Sequence, residues 1–244
     1  MTRILSIETS TTVCSAALHE EGRLLSLEIT HEPNSAASQL AVMIDRLLKQ
    51  FPGKLSAVAV SSGPGSYTGL RIGVATAKGI CYALSLPLIS VNSLAIMVSQ
   101  VHSSPVARRT SPVAPRTPHL AHRTSHLFCP MIDARRMEVY TMLFKEDDGR
   151  LSVAEPVSAR VIDGTSYADL LDKNKVSFFG NGSSKFKDVI THPNAVFIDN
   201  IFPSAEWMGG LAYISFQEKR FEDVSEFEPL YLKDFIAKKP KSLV

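Results

Sequence analysis

Twice in this chain an apolar run of strand length opens into a G-x-G turn and then a helical pattern. Residues 55–60 run into Gly63 and Gly65, and residues 176–179 run into Gly180 and Gly182. A nearly continuous apolar strand before a glycine turn and a helix is the pattern of a parallel strand covered on both faces. That narrows the fold class to α/β. Upstream of each such unit lies a hairpin whose first strand ends in an acid, Glu8 in one and Asp133 in the other. The halves therefore share one predicted order, βββαβαβα, and duplication is favoured over two unrelated α+β units.

The elements follow from period and punctuation. Residues 3–8, 13–18 and 23–30 read as a three-stranded meander. Leu40, Met43, Ile44, Leu47 and Leu48 carry the 3, 4, 7, 8 spacing of an amphipathic helix over 36–49, stopped by Phe51-Pro52-Gly53. A strand at 88–91 and a helix at 93–100 complete the first half. The second half predicts strands at 128–133, 137–144 and 153–161, a short helix at 167–172, strands at 176–179 and 195–198, a helix from the second glycine loop through 190, and a helix over 204–220 capped by Ser204. The last of these is a candidate to pack back on the first half. Three regions result: 1–100, 127–244, and between them 101–126. That middle stretch holds Pro and Arg in quantity, four of the seven histidines and no acid, and reads as a flexible basic loop. The tail EFEPLYLKDF reads as extended, then helical.

Bulk properties exclude several classes. A net charge of +2 steers the chain to no polyanion as a whole. The cysteines Cys14, Cys81 and Cys129 form no CxxC pair, which suits reduced thiols in a cytoplasmic protein. The start reads as no signal peptide, and no apolar run is long enough to cross a membrane.

Chemistry can be placed at four sites. Glu8, Thr9, Ser10 and Thr11 at the first hairpin turn, with Gly180, Asn181 and Gly182 opposite, are candidates for a nucleotide cleft, since hairpin-turn N–H groups can hold phosphates. Neither hairpin turn carries a glycine. Arg135 and Arg136 could grip phosphate by side chain, although turn arginines are usually only solvated. The first glycine loop, SSGPGSYTGLRIGVATAKG, is neither a Walker A nor a G-x-G-x-x-G motif. Its helix places Gly69, Gly73 and Ala77 on one side, flanked by Tyr67, Leu70, Arg71 and Val74. Glycines inside a helix cost about 1 kcal/mol each relative to alanine, so a close contact is expected in return. From the residues, an internal neighbour such as helix 36–49 and another protein are equally good. His119, His122 and His126 have metal-like spacing but no acidic neighbours or helix to hold them. Cys14 reads as a small core residue.

Four stretches together, ILSIETST, SSGPGSYTGLRIGVATAKG, PMIDARRMEVY and EPLYLKDF, resemble bacterial TsaB, a family formerly grouped with glycoproteases. The resemblance spans nearly all of the chain outside 101–126. It implies two tandem RNase H-like units of the actin, sugar-kinase and heat-shock-chaperone type. It implies a non-catalytic partner of the transferase TsaD in making N6-threonylcarbamoyladenosine at position 37 of tRNA, with the ATPase TsaE in the complex and self-association when alone. tRNA is then reached through TsaD. No catalytic residue, metal or required cofactor is expected, and weak ADP or ATP binding is the one nucleotide role left. The implied partner surface is Tyr67, Thr68, Gly69, Leu70, Arg71, Gly73, Val74 and Ala77, with Leu40 and Ile44 from the first helix. A large residue at Gly73 is accordingly expected to weaken association and leave the fold soluble. Relatives usually carry His where this chain has Ala36, and many carry Asp where it has Glu8. A sugar-kinase-type ATP enzyme and a metallopeptidase are the competing readings. The absence of an evident base and of a metal constellation argues against them.

Overall fold

The first strand, Arg3–Glu8 (β1), is buried on both faces from Ile4 onward, as a central strand must be. It pairs antiparallel with Cys14–Glu20 (β2), which pairs antiparallel with Arg23–Thr30 (β3). On its other edge β1 pairs parallel with Ala57–Gly63 (β4), and β4 with Leu88–Asn92 (β5). The sheet order is β3-β2-β1-β4-β5. His126–Asp133 (β6), Glu138–Asp147 (β7), Arg150–Val161 (β8), Lys175–Phe179 (β9) and Ala195–Ile198 (β10) form a second sheet in the order β10-β9-β6-β7-β8. Numbering each sheet from its own first strand, the two orders are identical, with the same antiparallel meander and the same parallel pair. The computed structural model describes residues 1–103, 126–147 and 149–233. Most of the predicted loop therefore lies outside the described residues. Residues 101–103 end a helix, and His126 begins β6.

Helix Ala36–Gln50 (α1) forms because Leu40, Met43, Ile44 and Leu47 share one face. They are buried against β1, β2 and β4 in a core that also holds Val74, Ala77 and Cys81 of helix Tyr67–Leu84 (α2). Helix Ser93–Ser103 (α3) is apolar nearly all round, since it lies between the sheets. Its Ile96 joins the first sheet's core, while Leu94, Met97, Val98 and Val101 meet Phe128, Ile132, Phe144 and Phe179 of the second. The C-terminal helix returns the arrangement: Ala205, Met208 and Ala212 pack on Ile4, Ala17, Ala57 and Ile89.

The second half departs from the predicted order in its helices. The helix expected at 167–172 is a single turn, Ala168–Leu171 (α4). In place of a helix through 190 there is one 3-10 turn, Ser183–Phe186, because Phe186 turns straight into the core beside Phe178. The helix expected over 204–220 begins as a 3-10 turn, Ala205–Met208, and only Gly209–Gln217 (α5) is α-helical. Gly209 sits where a side chain would collide with the His19 ring, and Lys219 at φ +55° ends the run. Ser204 does cap the first turn, accepting from the Glu206 N–H at 3.2 Å.

Residues 222–233 form neither strand nor helix beyond one bridge, Leu88 to Glu222. They run as a strap. Lys78 Nζ donates to the carbonyls of Ser225 and Phe227, and Leu230 N–H donates to the Ser62 carbonyl at 2.7 Å. Tyr231 lies against Tyr67 with ring centroids 4.9 Å apart. Lys233 then reaches Glu138 and the Ala134 carbonyl in the second half. The tail predicted as extended and then helical is described through residue 233, where it forms no helix, and the rest of it lies outside the described residues.

Candidate functional site: the two hairpin turns and helix α2

At the first hairpin turn, Glu8 ends β1 and is fully buried. Its carboxyl accepts from the Ser10 N–H, while its second oxygen and the Ser10 hydroxyl make no hydrogen bond of ordinary geometry among the described residues. Burial pushes the Glu8 carboxyl up to about 7, against the lowering effect of Ser10, Ser61 and Thr9. Thr9 N–H is turned to the Ser61 hydroxyl at 3.4 Å, and Val13 N–H to the Thr11 hydroxyl at 3.3 Å. The Thr9, Ser10 and Val13 N–H groups thus face their own chain.

Over this turn lies the start of α2, capped by Ser66 through the Gly69 N–H. Ser66 N–H donates to the Ser10 carbonyl at 2.6 Å, and the Thr9 hydroxyl donates to the Gly69 carbonyl at 2.8 Å. A Cβ on Gly65 would stand 2.2 Å from the Ser10 carbonyl oxygen; on Gly69, 2.1 Å from the Thr9 carbonyl oxygen; on Gly73, 2.2 Å from the Thr9 hydroxyl. The small-residue stripe thus exists so that α2 can press onto the β1–β2 turn. This corrects the expectation that Gly69, Gly73 and Ala77 form a docking seam. Leu70, Gly73, Val74 and Ala77 are buried within the chain, as are Leu40 and Ile44 of α1.

The residues that α2 turns outward are Thr68, Arg71, Ala75, Gly79, Tyr82, Ala83 and Leu84, with Tyr67 half-buried at the edge. Arg71 donates to the Tyr67 hydroxyl at 2.7 Å. Tyr82 is 86% exposed, Leu84 56% and, on α1, Val42 42%. Sequence reading missed Tyr82, Leu84 and Val42. Their signal was present as large apolar side chains on the polar sides of two amphipathic helices.

The second turn repeats the scheme with different chemistry. Gly180, at φ +99°, leaves 2.3 Å between a would-be Cβ and the Met131 carbonyl oxygen, and Gly182 N–H donates to that carbonyl. Asn181 accepts from the Asp133 N–H at 3.0 Å. Asp133 is exposed and paired with Lys185. Glu8 to Thr11 are therefore gathered under α2, and Gly180 to Gly182 against Asp133. No hydrogen bond among the described residues joins the two groups. The described cavities lie elsewhere: about 400 Å³ by Arg160, Tyr167 and Asp169, and about 170 Å³ by Asn92, Leu211 and Arg220.

The remaining candidates are structural. His126 stacks on Phe128 and bonds Ser177, and His119 and His122 lie outside the described residues. All three cysteines are buried and free, with thiols pushed up to about 11 chiefly by burial. No cluster of three or more His, Cys, Asp or Glu suited to a metal occurs among the described residues. None of their helices is long and apolar enough to cross a membrane.

Two RNase H-like units, the first with α2 packed over its hairpin turn, define a class of α/β chain. Comparison with known proteins narrows it. A family model described as TsaD, tRNA N6-adenosine threonylcarbamoyltransferase, matches residues 33–244. The tRNA threonylcarbamoyladenosine biosynthesis protein TsaB of Bacillus subtilis is 28% identical, over 94% of this chain and 93% of that protein. Its counterpart in Escherichia coli is 27% identical over 96% of each. The solved structure of YeaZ from Pseudomonas aeruginosa superposes with a TM-score of 0.75 at 25% identity, covering 95% of this chain and all of that one. The chain belongs to the family described by that model, in its bacterial TsaB branch.

Proposed function

We propose that this chain serves tRNA N6-threonylcarbamoyladenosine biosynthesis as a non-catalytic partner. In this reading it docks on the transferase TsaD, the ATPase TsaE joins the assembly, and the chain alone pairs with a second copy. One observation carries the reading: helix α2 is pressed onto the first hairpin turn, and two of the turn's N–H groups are turned to the chain itself. Thr9 and Ser10 N–H groups are taken by Ser61 and Glu8, and α2 covers the turn. Those two N–H groups are then not offered to a phosphate. The two cavities described above lie away from both turns. The names carried by the relatives support the pathway. The docking face is the outer side of α1 and α2, around Val42, Ala75, Gly79 and Tyr82, where exposed apolar groups sit on a stripe smooth enough for close helix packing.

The test is a reconstituted modification reaction with TsaD, TsaE and a threonylcarbamoyl-adenylate source. The modified base is expected to form with this chain present and to drop at least tenfold without it. The chain alone is expected to hydrolyse ATP far more slowly than about 1 per second, the low end of ordinary enzyme turnover. Full modification without the chain, or enzyme-like turnover by it alone, contradicts the proposal.

A further inference from the structure

The tip of the second hairpin is the one place among the described residues where two consecutive non-glycine residues hold left-handed backbone. Arg135 has φ +70° and Arg136 φ +54°. Tips of this kind favour Asn and Gly, which adopt positive φ with little strain. Arginine gains nothing there by packing, since both side chains are exposed. Strain kept without a packing reason points to what the side chains do.

The surroundings leave these arginines available. The nearby carboxylates are engaged: Asp133 by Lys185 and by the Arg135 N–H, Glu138 by Lys233. The same two lysines hold the carbonyls of Arg136 and Ala134, and Ile162 N–H holds that of Met137. With these carbonyls drawn back, the N–H groups of Arg136 and Met137 have no partner among the described residues. Successive free N–H groups flanked by guanidinium groups suit a phosphate oxygen.

We propose that this tip, Arg135 and Arg136 with the Arg136 and Met137 N–H groups, is a contact for the phosphate backbone of RNA. Guanidinium and backbone N–H groups are donors alone, and phosphate oxygens are the acceptors an RNA backbone offers whatever its sequence. The identification of the RNA as tRNA rests on the proposed function, and the contact lies beyond whatever grip the transferase has.

The experiment is fluorescence anisotropy of unmodified tRNA with the full chain, across about 50–200 mM salt. Three proteins are compared: the natural chain, Arg135→Asn/Arg136→Gly, and Arg135→Lys/Arg136→Lys. The Asn/Gly variant relieves the strained backbone, so its melting temperature is expected to hold or rise. Its RNA affinity is expected to fall about tenfold or more, with a salt slope shallower by roughly 1 to 2, as for one or two lost phosphate contacts. The Lys variant is expected to keep most of the affinity. The proposal is overturned by equal affinity and slope in all three, by no measurable RNA binding at all, or by a loss that accompanies a lower melting temperature. It is likewise overturned if ADP binding alone depends on the arginines. Should modification prove independent of this chain while the arginines still govern RNA binding, the proposed function fails and the contact stands. The reverse pattern fails the contact alone.

Discussion

Glu8→Gln is expected to raise the melting temperature at pH 8, with most of that gain gone near pH 5. Glu8 is fully buried, and burial lifts its carboxyl from 4.5 to about 7. The folded chain therefore binds a proton that the unfolded chain releases between those values. Stability is lost as pH rises from about 4.5 to 7, and the loss is complete above 7. A shift of this size amounts to roughly 3 kcal/mol at pH 8, a figure set by the differential ionisation alone. For a chain of this length that is on the order of 5–10 °C in melting temperature. Gln keeps an oxygen to accept from the Ser10 N–H and carries no charge to bury. The buried His19 and the half-buried His126, both held below the ordinary histidine range chiefly by desolvation, act in the opposite sense and lose stability as pH falls. They are common to both proteins, so the difference between the two melting profiles reports Glu8. Calorimetry at pH 5, 6.5 and 8 measures it. Parallel profiles would mean that the acid is solvated, and that the turn is open.

On helix α2, Gly69→Ala and Gly79→Ala are expected to move stability in opposite directions. Both replace a helical glycine, and alanine is favoured in a helix by about 1 kcal/mol. Gly79 has nothing within 4 Å of a new Cβ, so that gain should appear almost whole. At Gly69 the new carbon would stand 2.1 Å from the Thr9 carbonyl oxygen. The obstacle is backbone, with no flexible tip to swing aside, so α2 or the turn must shift. Overpacking of this kind costs about 1–3 kcal/mol, and the hydrogen bond from Thr9 to the Gly69 carbonyl is at risk as well. Urea denaturation of the two variants reads the signs directly. A neutral Gly69→Ala would show that α2 does not press on the hairpin.

Much of the fold could be read from residue patterns. The period of Leu40, Met43, Ile44 and Leu47 located α1 and its buried face, and the acid-ended hairpins and G-x-G turns located the repeat that the two sheet orders share. What spacing could not supply was the neighbour. Gly69 and Gly73 announce a close approach, but small side chains carry no mark of what approaches, and the partner proved to be a turn some sixty residues earlier in the chain. The second glycine loop looked like the first and leads into only one 3-10 turn, because Phe186 is drawn into the core at once. The strap over 222–233 has no period at all. It is held by Lys78, Ser62 and Tyr67, contacts between distant residues that no local pattern encodes.

With the inner side of α2 packed on its own hairpin, the proposed docking face is its outer side. Tyr82, 86% exposed, is its largest free feature. Light scattering of the natural chain and of Tyr82→Glu, each alone and mixed with TsaD, is the direct measurement. The natural chain is expected to pair with itself when alone and to form a heteromeric complex in the mixture, while Tyr82→Glu stays monomeric in both, with its melting temperature unchanged. Undiminished association of a well-folded Tyr82→Glu would contradict the assignment of this face.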